Sequence, residues 1–426
     1  MNTRLYNARI LITNDDHSFA ITEGELWVQD NKITYIGDGT DAASRPSFDK
    51  EMDCGRNLLM PGFKDAHTHT AMTFLRSFAD DLPLQEWLYN RVFPKEAQLT
   101  GDDIYWLNML GVMEYLTSGI TADFDMYFFH DRAAQSSIDC GFRMVQTSPL
   151  SNFNYSLQEL EETYHQINEM GELSTFILGF HAEYTTSKEI MEGLAKLADK
   201  LHCPVWTHNS ETELEVKECI ERHGMTPTQI TDALGMYKYG GGGYHCVWFD
   251  DRDYEIFKKN NMTAVTNPGS NTKLASGFCD IKRFLDEGIN LAIGTDGAAS
   301  NNCLDMFKEM MLTAVIPKVV NKDAACIPAE EVLYAATAGG AIAMGLADCD
   351  RLAVGKKADL IMIDLQQPNM QPENNIIKNI VYSGSKSNVA MTMINGRIRY
   401  QNGRYDIGFD PAEVYAKANE IIGRMK

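Results

Sequence analysis

The chain has 426 residues, 44% of them hydrophobic and 10% aromatic, enough to bury a large core as one big domain with a smaller satellite. Its formal net charge of −21 opposes phosphate backbones and anionic lipid surfaces, so neither a nucleic-acid nor a membrane partner is expected. Nine scattered cysteines without a Cys-x-x-Cys read as reduced thiols, which removes zinc-finger and disulfide-scaffold classes.

The first residues, Met1 to Ile10, lack the apolar core of a signal peptide, and no run reaches the ~18 apolar residues of a membrane span. A cytoplasmic location is therefore expected. Leu26-Trp-Val-Gln and Lys32-Ile-Thr-Tyr-Ile, followed by a Gly-Asp-Gly turn, predict short antiparallel strands. From about residue 60 to 350, apolar β-type runs alternate with helical stretches, the pattern of parallel strands joined by crossover helices.

Eight strands are predicted to end at His67/His69, Asp123–Asp125, Arg143–Gln146, Phe176–His181, Val205–His208, Tyr244–His245, Ala264–Asn267 and Leu291–Asp296. Helical patterns fall between them, at Asp102 to Thr117, Ser187 to Lys200 and Tyr254 to Asn260. The expected fold is α/β, a (β/α)8 TIM barrel over residues 59–354. Residues 1–58 and 355–426, with alternating runs at Asp359–Asp364 and Ala390–Tyr400, are expected to combine into one flanking β-sandwich. The Gly240 to Gly243 run reads as a flexible connection before a strand.

His67 and His69, at i and i+2 in Met60-Pro-Gly-Phe-Lys-Asp-Ala-His-Thr-His69, project to one side of a strand and can share one metal ion. His208 and Asp296 also fall at strand C-terminal ends, where such barrels build their sites, so His67, His69, His208 and Asp296 are the candidate ligands. Glu211, trailing His208 in His-Asn-Ser-Glu, suits a proton shuttle, and His245 suits orienting a water or polarising an oxyanion. One buried histidine is more often a hydrogen-bonded core residue; an ordered set of this kind is not.

The set resembles the amidohydrolase superfamily, in the branch of methylthioadenosine/S-adenosylhomocysteine deaminases and related chlorohydrolases. The likeness runs through Pro61 to Arg76, Asp80 to Leu88, Phe93-Pro-Lys-Glu96, His208-Asn-Ser-Glu-Thr212, His245-Cys-Val-Trp248, Asn267 to Gly277, Gly294 to Asn302 and Val354 to Leu360. It implies one divalent metal on His67, His69, His208 and Asp296, zinc first and iron or nickel as alternatives, with Glu211 and His245 beside it. It also implies substrate contacts from Trp87 (stacking on the base), Glu96 (ribose hydroxyls) and His181 (purine). The fourth strand ends in His181 with no lysine, so the bridge of two-metal members is not expected.

The implied reaction is hydrolytic deamination of an amino-purine nucleoside such as adenosine, 5′-deoxyadenosine or methylthioadenosine: water adds to the amine-bearing carbon, Asp296 takes its proton, Glu211 protonates the ring nitrogen, His245 stabilises the oxygen, and ammonia leaves. The partner is a small molecule, and a homo-oligomer is expected. Alternatives are another amino-heterocycle (pterin, pyrimidine, triazine), a cyclic amide hydrolase and a non-catalytic barrel.

Two departures stand out. S-adenosylhomocysteine-using relatives place arginines after the third strand, whereas no Lys or Arg occurs from Met144 to Ser187, where Glu159, Glu161, Glu162, Glu169, Glu172 and Glu183 do. The usual His-x-Pro-Tyr is His181-Ala-Glu-Tyr184, which is expected to bring a carboxylate near the base-binding histidine.

Overall fold

A computed structural model describes residues 1–39 and 45–425. Its first strands are β1 (Asn2–Thr13), β2 (Phe19–Gln29), β3 (Lys32–Gly37), β4 (Lys50–Asp53) and β5 (Leu58–Pro61). β1 buries alternate residues, as a strand with one face on a core must. The barrel follows with β6 (Phe63–Thr68), β7 (Ile120–Met126), β8 (Arg143–Thr147), β9 (Ser174–Phe176), β10 (Leu178–Gly179), β11 (Val205–Asn209), β12 (Gly241–His245), β13 (Thr263–Thr266) and β14 (Asn290–Ile293). The chain then returns with β15 (Leu360–Ile363), β16 (Val389–Ile394), β17 (Arg397–Gln401) and β18 (Arg404–Tyr405).

Every pairing among β6 to β14 is parallel, in sequence order. β9 and β10 are two pieces of one strand interrupted at Ile177, whose N–H still reaches the Gln146 carbonyl at 2.9 Å. The ring closes between β14 and β6, where Asp296 N–H donates to the His67 carbonyl at 2.9 Å and Thr295 N–H to the Asp65 carboxylate at 2.8 Å. This is a (β/α)8 barrel. Its strands are buried on both faces, because helices such as Gly101–Thr117, Lys188–Leu201 and Asp251–Lys259 cover the outside. The last of these starts earlier than its apolar pattern suggests because Asp250 caps it.

The Gly240 to Gly243 run is not a flexible connection. Gly241 to Gly243 belong to β12, and a Cβ on Gly242 would lie 2.2 Å from the Trp206 ring. Glycine is used there because the barrel interior is filled by that indole.

The two ends of the chain meet at β5, which pairs parallel with β1 and antiparallel with β15. The sheet order is β18-β17-β16-β15-β5-β1-β2-β3, with β4 on β1, and Leu5, Ile10, Leu26, Leu59, Leu360 and Met391 share a core separate from the barrel's. Two later segments lie elsewhere: helix Ile376–Ser383 packs on helices Met306–Asn321 and Ala329–Tyr334, and helix Pro411–Arg424 packs on Gly101–Thr117, with Arg424 paired to Asp103 at 2.5 Å. No helix among the described residues is long and apolar enough to cross a membrane.

A buried ion pair ties the barrel to the sheet. Arg143 on β8 and Asp359, just before β15, are 2% and 0% exposed and bond at 2.6 and 3.1 Å, and Asn395 N–H adds a 2.7 Å bond to the same carboxylate. Arg143→Met should cost about 3–5 kcal/mol by stranding the carboxylate, while the double variant with Asp359→Leu should cost much less. Denaturant midpoints of the wild type, both single variants and the double variant check this.

Candidate metal centre and active site

The site lies at the C-terminal mouth of the barrel, where β6 delivers His67 and His69, β11 His208, β12 His245, and the turn after β14 Asp296. Ser210, His245 and Asp296 take left-handed backbone conformations, with φ of 52°, 71° and 57°. Such conformations are strained for these residue types and are held where the surroundings over-determine them. Here they turn the chain off the strands while keeping the side chains in the mouth.

Facing nitrogens and oxygens come close. Ligand atoms of His67, His69 and Asp296 lie within 4.8 Å of one another, as do those of His67, His208 and His245. His69 Nε2 is 3.3 Å and His67 Nε2 3.7 Å from Asp296 Oδ1. Hydrogen bonds set the tautomers. His69 Nδ1 faces the Met126 carbonyl at 2.6 Å and His208 Nδ1 the His181 carbonyl at 2.7 Å; a carbonyl only accepts, so each Nδ1 carries a proton and each Nε2 is the nitrogen turned inward. His67 is fully buried, with neither ring nitrogen hydrogen-bonded to protein.

Electrostatics point the same way. Burial opposes a charge on His69, but the Asp296 carboxylate overcomes it and lifts the imidazole to about 9. Burial and the charge of His69 keep His67 well below the ordinary histidine range. Burial also works against the Asp296 carboxylate, yet His69 holds it well below the usual range. A divalent ion would take the place of the Nε2 proton that His69 otherwise shares with Asp296, and with the orphaned His67, the inward Nε2 of His208 and the ionised Asp296 carboxylate the set fits such an ion.

Glu211 stands beside this cluster, its Oε2 3.8 Å from His245 Nε2. Ser276 Oγ donates to Glu211 Oε1 at 3.0 Å, and the backbone around Glu211 is gripped by Glu215, which accepts the N–H groups of Ser210, Glu211 and Thr212 at 3.1, 2.8 and 3.4 Å. Asn271 Oδ1 lies 2.7 Å from His245 Nδ1, and Ser300 Oγ donates to Asp296 Oδ2 at 2.9 Å. Asn271, Ser276 and Ser300 sit inside the motif stretches Asn267 to Gly277 and Gly294 to Asn302 without having been singled out. Glu215 was findable as the fourth residue of a Thr-x-x-Glu capping box.

The mouth opens into a cavity of about 790 Å³. His69, His208, Glu211, His245 and Asp296 line it, and so do Trp87, Glu96 and His181. A short helix Leu84–Trp87, one π-helical turn Leu88–Val92 and a second short helix Phe93–Glu96 put Trp87 and Glu96 on the same cavity. Glu96 Oε1 accepts from Tyr127 OH at 2.8 Å, and burial pushes its carboxyl up to about 6 against the opposing effects of Tyr127 and His69. Burial likewise lowers His181 to about 4, and its Nδ1 pairs with Thr185 Oγ1 at 2.9 Å.

Glu183 does not join them. Its carboxylate is 3% exposed and turned onto helix Glu213–His223, paired with Arg222 and, at 2.9 Å, with His223 Nε2. The expected carboxylate beside His181 is neutralised in that pair and is absent from the cavity wall. Of the six glutamates between Met144 and Ser187, Glu159 alone lines the cavity.

A metal-fitting imidazole cluster at a barrel mouth, with a carboxylate beside it, defines a metal-dependent barrel hydrolase. Residues 58–399 match the amidohydrolase family, and the chain belongs to that family. It is 37% identical, over 94% of both chains, to a 5-methylthioadenosine/S-adenosylhomocysteine deaminase of Caldicellulosiruptor saccharolyticus. It is 37% identical to a 5′-deoxyadenosine deaminase of Methanothermobacter thermautotrophicus, over 94% of this chain and 95% of the relative. Among solved structures, an adenosine deaminase from Xanthomonas campestris with bound zinc superposes with a TM-score of 0.93 at 30% identity, covering 99% of this chain and 98% of that one.

An ion bound only by the folded chain stabilises it, by about 2.7 kcal/mol at a hundredfold excess over Kd. Chelation should therefore lower the melting temperature, one divalent ion per chain should restore it, and His67→Ala should abolish the shift. Thermal scans with metal analysis check all three; a melting temperature indifferent to chelator would remove the site.

Proposed function

We propose that the chain deaminates amino-purine nucleosides hydrolytically, with zinc as the resident ion on His67, His69, His208 and Asp296. The observation that carries this is Glu211, held by Ser276 3.8 Å from His245 on the wall that also presents the metal-fitting cluster. A proton carrier thus stands beside the point where water must add. Adenine-nucleoside deaminases among the relatives and the zinc-bound Xanthomonas enzyme support the substrate and the ion.

A zinc ion held there supplies an acidified water. This chain's own residues do the rest. Asp296, kept ionised beside His69, takes the proton of the attacking water. Glu211 has one oxygen fixed by Ser276 and one free, and it delivers the proton to the ring nitrogen next to the amine-bearing carbon. His245, with Nδ1 committed to Asn271, presents Nε2 to the added oxygen. Trp87 offers a face to the base, Glu96 accepts from ribose hydroxyls with its unshared oxygen, and neutral His181 addresses the purine edge. Asp296 passes its proton to the amine, the remaining proton of the added oxygen returns to Glu211 as the tetrahedral carbon collapses, ammonia leaves, and the inosine-type product remains protonated at the ring nitrogen.

Glu211→Gln should keep one metal per chain while turnover falls about a hundredfold or more. Asp296→Asn should keep the fold and lose most turnover, because a base and a ligand vanish together. Metal analysis, circular dichroism and steady-state kinetics separate the two; loss of metal from the Gln variant would move Glu211 into the coordination sphere.

No Lys or Arg lines the cavity among the described residues, so nothing there pairs with an amino-acid carboxylate, which an arginine fork would bind bidentately. We expect kcat/KM for adenosine or methylthioadenosine to exceed that for S-adenosylhomocysteine by about tenfold or more, a factor equal to ~1.4 kcal/mol. Side-by-side kinetics decide it, and equal efficiency would mean that a cation reaches the site from elsewhere.

A further inference from the structure

His181, Tyr184 and Thr185 line the cavity, and all three belong to one short segment closed by the 3-10 turn Glu183–Thr185. Its backbone reaches the metal end as well. The His181 carbonyl accepts His208 Nδ1–H at 2.7 Å and His208 N–H at 3.1 Å, so the segment that presents His181 also orients a metal-fitting imidazole. Burial, and after it the charges of Glu215 and Glu211, push the Tyr184 phenol well up, which places that ring within the field of the proton carrier.

Glu183 turns the other way, onto the last turn of helix Glu213–His223. Its Oε1 accepts from Arg222 Nε at 3.2 Å and lies 2.9 Å from His223 Nε2, and its Oε2 pairs with the Arg222 guanidinium. Two side chains adjacent in sequence thus fork around one carboxylate that is 3% exposed, a geometry that fixes direction as well as distance. Cys219, one turn earlier on the helix, has its thiol pushed up by burial first and by Glu183 next.

The helix carries this contact to the opposite wall. Its 11 residues span about 16 Å. At its first turn Glu215 accepts the N–H groups of Ser210, Glu211 and Thr212, so one end of the helix sets Glu211 and the other receives Glu183. The chain departs from the usual His-x-Pro-Tyr at this very position. A proline stiffens a turn through its own ring, whereas a glutamate does so only through its partners.

We propose that Glu183 is a positioning residue for substrate binding: its pair with Arg222 and His223 fixes the segment of His181 and Tyr184 to the helix that holds Glu211, and so sets how the two cavity walls face each other. This rests on the nucleoside deaminase function proposed above.

The test uses the metal-loaded enzyme with adenosine and methylthioadenosine. Glu183→Ala should raise KM about tenfold while kcat changes by less than about threefold and one metal per chain is retained, as loss of binding geometry without loss of chemistry requires. Glu183→Gln keeps the size and one acceptor, and its KM should rise only about threefold. Arg222→Gln, at a side chain 39% exposed, should match it. These two milder variants decide the matter if Glu183→Ala does not fold. An unchanged KM in the folded variants overturns the proposal, whether or not they melt earlier. So does a fall in kcat that tracks lost folded protein, measured by circular dichroism and metal analysis, with KM unchanged, since a purely structural pair gives that result. Absence of wild-type turnover on both nucleosides overturns the nucleoside function, and this role with it.

Discussion

Four imidazoles and a carboxylate crowded into the barrel mouth are the constraint on which the rest of the structure depends. The His67 ring lies 4.9 Å from His69, 4.9 Å from His208 and 5.6 Å from His245, centroid to centroid. Protonating all of them would stack like charges in low dielectric, and leaving them neutral strands lone pairs; a cation resolves both. The same atoms also close the barrel. Asp296 N–H bonds to the His67 carbonyl, and His208 N–H to the His181 carbonyl at 3.1 Å, so the backbone that positions the ligands also completes the ring of strands. Metal geometry and barrel closure are therefore one set of hydrogen bonds.

Buried carboxylates hold what surrounds that centre. Asp65 receives Thr295 N–H and Oγ–H at 2.8 and 2.5 Å, Glu215 receives three N–H groups below Glu211, and Glu309 receives Gly269 N–H at 2.8 Å and Asn301 Nδ2 at 2.9 Å. Burial raises their carboxyls to about 8, 8 and 7. Groups so costly to ionise are tolerated because each gathers donors where the chain leaves a strand, and those turns carry Asp296, Glu211 and Asn271.

The barrel was legible because two-sided burial writes strands as continuous apolar runs, and each of the eight predicted strand segments overlaps a strand of the ring, although those expected to end at His181 and Asp296 stop at Gly179 and Ile293. His67, His69, His208, His245 and Asp296 were legible because strand C-termini share one face of a parallel barrel. The supports were not. Asn271, Ser276 and Ser300 act through hydrogen bonds across 26, 65 and 4 residues of sequence, and common polar side chains carry no local mark of such partners. The glycines of β12 misled for a related reason: their cause is Trp206, on another strand.

Glu183 shows how far local sequence can mislead about charge. It neighbours a cavity residue in sequence, yet its field is spent on Arg222 and His223. What a substrate meets is set by the walls, and these divide sharply. Near the metal they are acidic and imidazole-rich, suited to moving protons; at the mouth they are aromatic and without a cation among the described residues. An arginine fork for a carboxylate is missing from that mouth among the described residues, and rings such as Phe153 and Tyr89 stand exposed there. The rings of that mouth come from the segments after β6, β7 and β8, beyond the strand ends that gather His67, His208 and Asp296, so the wall a ligand meets first is built from different chain than the cluster behind it.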